Sequence, residues 1–182
     1  MTALILFLAC VFIALGTGAL AAWSDFKGMI IPNLYNGIIL GAFLICYGGL
    51  YALGVHETVF AAPLNHAMSA GIVFLVTMIM FAAKALGAAD SKMGTAIAAW
   101  AGVKGIFPFL FYMALIGGLL AAFALLIRGK KIFKNVPKDS WIDQVQSGKS
   151  KVPYGIALFV GMLGAFIQLG YLDPQLWVSL LN

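Results

Sequence analysis

Long apolar stretches separated by short polar segments dominate the chain, and they predict an all-α protein that crosses a membrane six times. Five of the stretches approach the roughly 20 residues that a helix needs to cross about 30 Å of hydrocarbon. They run from Thr2 to Trp23, Asn33 to Gly54, His66 to Ala85, Ile106 to Ile127 and Pro153 to Leu172. A shorter stretch, Met93 to Val103, would cover about half of that thickness, so we expect it to extend into its flanks.

The composition supports a membrane protein. With 63% hydrophobic residues, 9% charged residues and a mean hydropathy of +1.04, the chain has too little polar surface to cover a water-soluble globule. We predict one membrane-embedded domain over residues 1–182, with a basic loop at 128–152 inside it. Cys10 and Cys46 lie within apolar stretches, where thiols behave as small hydrophobic groups, so we expect neither a disulfide nor a metal pair.

The basic residues predict the orientation of the chain. Ten of the eleven Lys and Arg residues follow the first, third or fifth stretch, and Lys104 alone falls on the other side. The ten are Lys27, Lys84, Lys92, Arg128, Lys130, Lys131, Lys134, Lys138, Lys149 and Lys151. Cytoplasmic loops carry this excess of positive charge, so the amino terminus is predicted to lie outside. Attraction to anionic lipid accounts for the net charge of +5 without a nucleic-acid partner.

Two of the six acidic residues, Asp25 and Asp90, each stand where an apolar stretch meets its flanking loop. Because they follow the first and third stretches, both are predicted on the cytoplasmic side, where they can meet. Two adjacent carboxyls share one proton, so one can take a proton from water while the other donates one to a carbonyl oxygen. Taken singly, each has a structural explanation, Asp90 as a helix cap and Asp25 as a loop or turn residue.

Other polar and small residues give weaker signals. His56, Glu57 and His66 are expected on an outer loop as solvated residues, because their spacing does not form a zinc-binding H-E-x-x-H motif. Small residues allow helices to pack closely in lipid. We therefore expect close packing at Gly37 and Gly41, and also along the Ala- and Gly-rich segment 82–101.

Three segments together resemble the type IV prepilin peptidases. The run from Asp25 to Asn33, which contains Ile31-Pro32-Asn33, resembles their first catalytic segment, and Gly87-Ala88-Ala89-Asp90-Ser91-Lys92 resembles their G-x-G-D-x-K motif. Val152-Pro153-Tyr154-Gly155 is similar to the run that opens their last span. Ala89 departs from the pattern, because the family has a second glycine there and alanine restricts the backbone.

The resemblance implies a membrane aspartyl endopeptidase with Asp25 and Asp90 as its catalytic residues, without a metal or another cofactor. Lys92 would then favour an ionised Asp90 through its charge, or else serve only as a basic anchor at the membrane surface. The remaining motif positions would support the site or bind substrate. They are Pro32, Asn33, Gly87, Ala89, Lys92, Pro153, Tyr154 and Gly155.

The subtype and the partners also follow from the resemblance. The chain has no C-x-x-C motif and only nine residues between Trp23 and Asn33, so it resembles short, peptidase-only forms that accompany tight-adherence (Flp-type) pili, or archaeal preflagellin peptidases. The implied substrate is a prepilin or pseudopilin, cut at the cytoplasmic face of a prokaryotic inner membrane after a glycine, with lipid and pilus-assembly proteins as further partners.

Two other functions remain open from the sequence. A transporter could use the same two aspartates as proton or cation sites. A non-enzymatic assembly partner with the same fold would be a third reading, for which Ala89 is the one indication. Cleavage of a leader-bearing prepilin distinguishes all three.

Overall fold

The computed structural model describes residues 1–84, 86–149 and 152–181, and this part of the chain is helical with no β-strand. The helices are α1 (Thr2–Gly28), α2 (Asn33–Ala52), α3 (Pro63–Ala82), α4 (Ala88–Ile127), α5 (Trp141–Gln146), α6 (Tyr154–Gln168) and α7 (Pro174–Ser179), with a 3-10 turn at His56–Thr58. Within the described ranges, α1 to α4 are long and apolar enough to cross a membrane, and α6 is a shorter apolar helix. The protein is therefore a multi-pass membrane protein.

Several helix ends differ from the sequence-based expectation. Helix α1 continues past Trp23 through the segment that we expected to be a loop and ends at Gly28, where Met29 takes a left-handed conformation with φ 55°. Helix α3 begins at Pro63, which suits a first helical turn because its φ is already fixed. Ala85, the predicted end of that span, lies outside the described residues.

Helix α4 is 40 residues long, about 60 Å if it were straight, which is twice the thickness of the hydrocarbon. It is broken at Gly102, whose φ of 57° and ψ of 179° are not helical. The break lies at the end of the predicted short stretch and just before the next one. The two predicted segments are therefore the two halves of α4, and the first half extends back to Ala88.

The contacts of α6 reveal that α4 reverses direction at Gly102. In the first half, Gly94 lies against Leu158 and Trp100 lies against Phe166. Residue numbers therefore increase in the same direction along this half of α4 and along α6. In the second half the order is opposite, because Gly105 lies against Leu169 and Gly117 against Ala157. The halves form a helical hairpin beside α6.

Helix α3 satisfies the backbone groups that the break in α4 leaves without helical partners. In an unbroken helix the N–H of Val103 would donate to the carbonyl of Ala99. Instead Val103 N donates to Asn65 Oδ1 at 2.9 Å, and Ala99 O accepts from His66 Nδ1 at 2.7 Å. Because buried backbone groups need partners, these two side chains explain how the chain can reverse inside an apolar assembly.

The core lies where α4 packs against α2, α3 and α6, while α1 packs against α2 and α6. Trp100 is fully buried and donates its indole N–H to Ile39 O at 2.9 Å. The Ala- and Gly-rich first half of α4 is buried as expected. The expectation for Gly37 and Gly41 is wrong, because no atom lies within 4 Å of a Cβ built at either position.

The basic loop contains the short helix α5, which packs against the end of α1. Trp141 and Val145 are buried in a cluster with Ala124 and Ile127, and Phe26 and Met29 pack against this cluster. The loop is thus held against the helix that carries Asp25. Ser150 and Lys151, at the end of the predicted loop, lie outside the described residues.

Candidate active site

Asp25 lies in the last turn of α1 and is 5% exposed. Its Oδ2 accepts a hydrogen bond of 2.7 Å from the backbone N–H of Gly155. Gly155 is the second residue of α6, so its N–H is one of the groups that lack a partner within the helix. The positive end of the α6 dipole therefore faces the carboxylate and stabilises its charge.

The absence of a side chain at Gly155 allows this contact. A Cβ at this position would lie 2.9 Å from Asp25 Cβ, 3.1 Å from its Oδ2 and 3.1 Å from Ile31 Cδ1. Pro153, which precedes α6 as its N-cap, is fully buried. Tyr154 opens the helix, and its ring lies against Gly117 of α4. The Pro-Tyr-Gly run thus fixes the start of α6 against α1 and α4.

Asp90 is the third residue of α4 and is partly exposed. Its Oδ2 accepts from Gly87 N at 3.1 Å, as an acid in the first turn of a helix commonly does. A Cβ on Gly87 would lie 2.7 Å from that oxygen, so a side chain at this position would displace the carboxylate from the backbone N–H. Asp90 therefore lies in the first turn of a helix and not in a flanking loop, because α4 begins at Ala88. This start confirms that the short apolar stretch extends into its flank, and the bond to Gly87 N is the helix-cap contact that the sequence left open for Asp90.

The two carboxylates lie at the same end of the helix assembly, where α1 ends and where α4 and α6 begin. Asp25 and Asp90 lie close enough for their negative charges to repel each other. Each accepts a hydrogen bond from a different backbone N–H, that of Gly155 or that of Gly87. Two carboxyl groups thus lie at the same end of the helices, each bound to the start of a helix.

Two hydrogen bonds join the first motif to the second. Lys92 Nζ donates to Asn33 Oδ1 at 3.0 Å, and Asn36 Nδ2 donates to Ala89 O at 3.4 Å. The start of α2 is thereby tied to the start of α4 beside Asp90. The expected influence of Lys92 on the charge of Asp90 stays a prediction.

Sequence reasoning missed Asn36. It is 7% exposed, and its Oδ1 has no hydrogen-bond partner within the described residues. A signal was available, because Asn36 lies three residues after Asn33 and so shares its face of α2. An amide on the buried face of an apolar helix is costly unless it has a partner, and Ala89 O provides one.

The remaining motif residues shape the backbone around the carboxylates. Ala89 is the second residue of α4 and has an ordinary helical conformation, so alanine is compatible with the position that is glycine in the family pattern. Pro32 is the N-cap of α2 with φ −58° and ψ 137°. Ser24 Oγ donates to Ile30 O at 2.7 Å and closes the turn between α1 and α2.

His66 does not lie on a solvated loop, which corrects the expectation for this residue. It is 4% exposed and packs among the rings of Phe43, Tyr47 and Phe60. The sequence could not indicate this, because the carbonyl that it binds is freed by the distant break at Gly102. In the described part of the chain, no three His, Cys, Asp or Glu residues are grouped so that they could hold a metal ion.

Comparison with known proteins identifies the family. The model of the type IV leader peptidase family matches residues 12–122, more than half of the chain, and this range includes both Asp25 and Asp90. Gly155 and the rest of α6 lie beyond the match. Neither the curated proteins nor the solved structures contained a match. The match to the family model, together with the two carboxylates at one end of the helices, leads to one conclusion: the chain belongs to the type IV leader peptidase family, and the family is one of proteases.

Proposed function

We propose that the protein is a membrane aspartyl endopeptidase that removes the leader peptide of prepilin-like proteins at the cytoplasmic face of a prokaryotic inner membrane. The observation that carries this proposal is that Asp25 and Asp90 lie at the same end of the helices, with Asp25 bound to the start of α6 and Asp90 bound at the start of α4. In a family of leader peptidases, a pair of interacting carboxyls gives the chemical means to hydrolyse a peptide bond.

In the proposed mechanism the two carboxyls act as a dyad that holds one proton. The ionised carboxyl takes a proton from a water molecule, which attacks the carbonyl carbon of the scissile bond, while the protonated carboxyl donates to the carbonyl oxygen. As the tetrahedral intermediate collapses, the C–N bond breaks, the carboxyl that took the proton from water gives it to the leaving amine, and the hydroxyl proton returns to the other carboxylate. The roles belong to the pair, since two strongly interacting acids titrate together.

The proposed topology has six spans and an external amino terminus. The spans are α1, α2, α3, the two halves of α4, and α6. The first half of α4, residues 88–101, and the 15-residue α6 would each measure about 21–23 Å, which is shorter than the hydrocarbon. Both begin at the Asp25 and Asp90 end, so this arrangement would set the carboxylates slightly below the membrane surface, within reach of water.

We propose that the cut follows a small residue, glycine, just before the substrate helix. Asp25 is 5% exposed and lies against Gly155, which Ile31 also approaches, so there is little space beside its carboxylate for a large side chain. A glycine also loses helical structure readily, which would allow the peptide bond to extend between the two carboxyls.

We further propose that the protein does not methylate the new amino terminus. The chain resembles the short, peptidase-only forms, whereas larger prepilin peptidases insert a domain with C-x-x-C motifs near the first catalytic segment. Here only the four residues from Met29 to Pro32 connect α1 to α2, which is too short for an inserted domain. Methylation would then require another protein.

The test is processing of a leader-bearing prepilin by the purified protein in lipid vesicles. A shift in gel mobility would report cleavage, and mass spectrometry of the product would locate the cut after glycine and detect any methyl group. A transporter would leave the prepilin intact and would instead move protons or cations across the vesicle membrane. Absence of cleavage by a correctly inserted protein would refute the peptidase proposal.

A further inference from the structure

A groove runs between α2 and α3 on the side of the assembly that faces lipid. Both helices pack against α4, but in the described residues they scarcely contact each other. The space between them includes an apolar cavity of about 470 Å³. One wall contains Leu40, Leu44 and Gly48 of α2, the other contains Ala67 and Ala70 of α3, and Ala99 of α4 lies at the floor.

The shape of the groove suits another helix. Leu40, Leu44 and Gly48 recur every four residues, and so lie along one face of α2. Ala67, Ala70 and Ala99 have small side chains, which in lipid allow the backbone of a second helix to approach closely. The groove is therefore apolar along its length, and the small residues that line it leave room for the backbone of a second helix.

The groove leads towards the two aspartates. Ala99, at its floor, belongs to the first half of α4, whose first turn carries Asp90. Its α2 wall belongs to the helix that begins at Asn33, which Lys92 holds against α4. Ala99 lies nine residues beyond Asp90 in the same helical segment, about 14 Å deeper. A helix lying in the groove would bring its cytoplasmic end to the carboxylates.

A buried polar atom indicates a peptide occupant in preference to a lipid chain. His66 lines the groove and binds Ala99 O through Nδ1, while its Nε2 is buried without a partner. A buried acceptor without a donor costs free energy. A helix that carries hydroxyl or amide side chains can supply donors, whereas an acyl chain cannot.

We propose that the groove between α2 and α3 seats the transmembrane helix of the prepilin substrate and guides the start of that helix to Asp25 and Asp90. This inference rests on the proposed function, because it needs a substrate that carries such a helix. The walls recognise the helix through its apolar surface, and the acceptor on His66 binds a polar side chain on it.

Filling the groove tests the proposal. Ala67 is exposed to the groove, so Ala67→Trp adds a large side chain there without entering the core. We expect KM for full-length prepilin to rise about tenfold or more, which corresponds to about 1.4 kcal/mol of lost binding. Cleavage of a short peptide that has the leader and the cut site but no transmembrane helix should be unchanged. The matched control is Ala114→Trp, at an exposed alanine on the second half of α4.

Photo-cross-linking provides the second measurement. A photoreactive residue at Leu44, which is 60% exposed, should cross-link to prepilin in vesicles, whereas one at Leu119, also 60% exposed but outside the groove, should not. Normal KM for Ala67→Trp, or cross-links from Leu44 to lipid alone, would overturn the groove assignment. Either result could be obtained while the unmodified protein still cuts prepilin, so it would leave the peptidase proposal intact. Failure of the unmodified protein to cut would refute both.

Discussion

Gly155 and Gly87 have no Cβ, and this allows the backbone N–H of each to approach a carboxylate closely. The two backbone N–H groups hold Asp25 and Asp90 by their Oδ2 atoms, and a Cβ at either glycine would approach within about 3 Å of the bound aspartate. Both glycines lie at the start of a helix, where a backbone N–H is free to bind an anion. At both sites, the start of a helix thus positions the acid and stabilises its charge.

Gly155→Ala should reduce prepilin cleavage about tenfold to a hundredfold, because displacement of a reacting group by a fraction of an ångström to an ångström is costly. The amount of protein in the membrane should not change. The control is Gly16→Ala, the same substitution in α1, where no atom lies within 4 Å of the added Cβ. Rates of cleavage measured on both variants check this prediction. If Gly155→Ala cuts at the normal rate, the contact with α6 does not position Asp25.

The residue types of the site could be predicted from the sequence, but their contacts could not. Asp25, Asp90 and Gly155 all lie in segments that resemble family motifs. The hydrogen bond between Gly155 and Asp25 joins residues 130 positions apart, so it depends on how α1 and α6 pack. Asn36 was missed for the same reason, since its partner Ala89 belongs to another helix.

At the scale of helices, the hairpin of α4 depends on compensation by α3. Gly102 has a φ of 57°, and a Cβ there would lie 2.8 Å from Asn65 Oδ1, the atom that binds Val103 N. The apolar pattern predicted both halves of α4 and the short length of the first. It could not predict that Asn65 and His66 would replace the lost helical hydrogen bonds, because this requires α3 to lie beside the break.

Gly102→Ala should lower the stability of the helix assembly by about 1–3 kcal/mol, because alanine is strained at this φ and its methyl would displace Asn65. The expected observation is a lower midpoint of thermal unfolding in detergent. Gly118→Ala, at an exposed position in the second half of α4 with open space around the Cβ, should leave the midpoint unchanged or raise it slightly. Equal midpoints for the two variants would mean that the reversal at Gly102 does not require glycine.

At the scale of the whole molecule, the end that carries Asp25 and Asp90 also carries most of the basic residues. The charge pattern predicted that the two aspartates and the basic residues lie at the same end, because the first and third apolar stretches end on the same side as the basic loop. Helix lengths were predicted less well. Polar residues such as Ser24 and Lys27 suggested a loop, although a helix can extend beyond the apolar region when its end packs, as α1 does against Trp141 through Phe26.

Cysteine labelling tests the proposed orientation. Ile30→Cys, at a side chain that is 66% exposed, and Ala88→Cys should both react with a membrane-impermeant maleimide only from the cytoplasm, and Thr58→Cys only from outside. Ala88 is a suitable labelling position because it is exposed, whereas the neighbouring Ser91 is buried and forms a hydrogen bond with Thr77. Cys10 and Cys46 are buried, so background labelling should be low. Reaction of Ile30→Cys and Ala88→Cys from outside would contradict the proposed orientation.

The most direct test of the dyad is prepilin cleavage by Asp25→Asn and Asp90→Asn in vesicles. Each variant removes one carboxyl with almost no change in shape, so each should lose activity by about a hundredfold or more, with normal amounts in the membrane. Asp139→Asn is the matched control, because Asp139 is exposed on the basic loop and its positive φ of 64° suits asparagine. That variant should cut at the normal rate. Near-normal cleavage by either Asp25→Asn or Asp90→Asn would contradict the account.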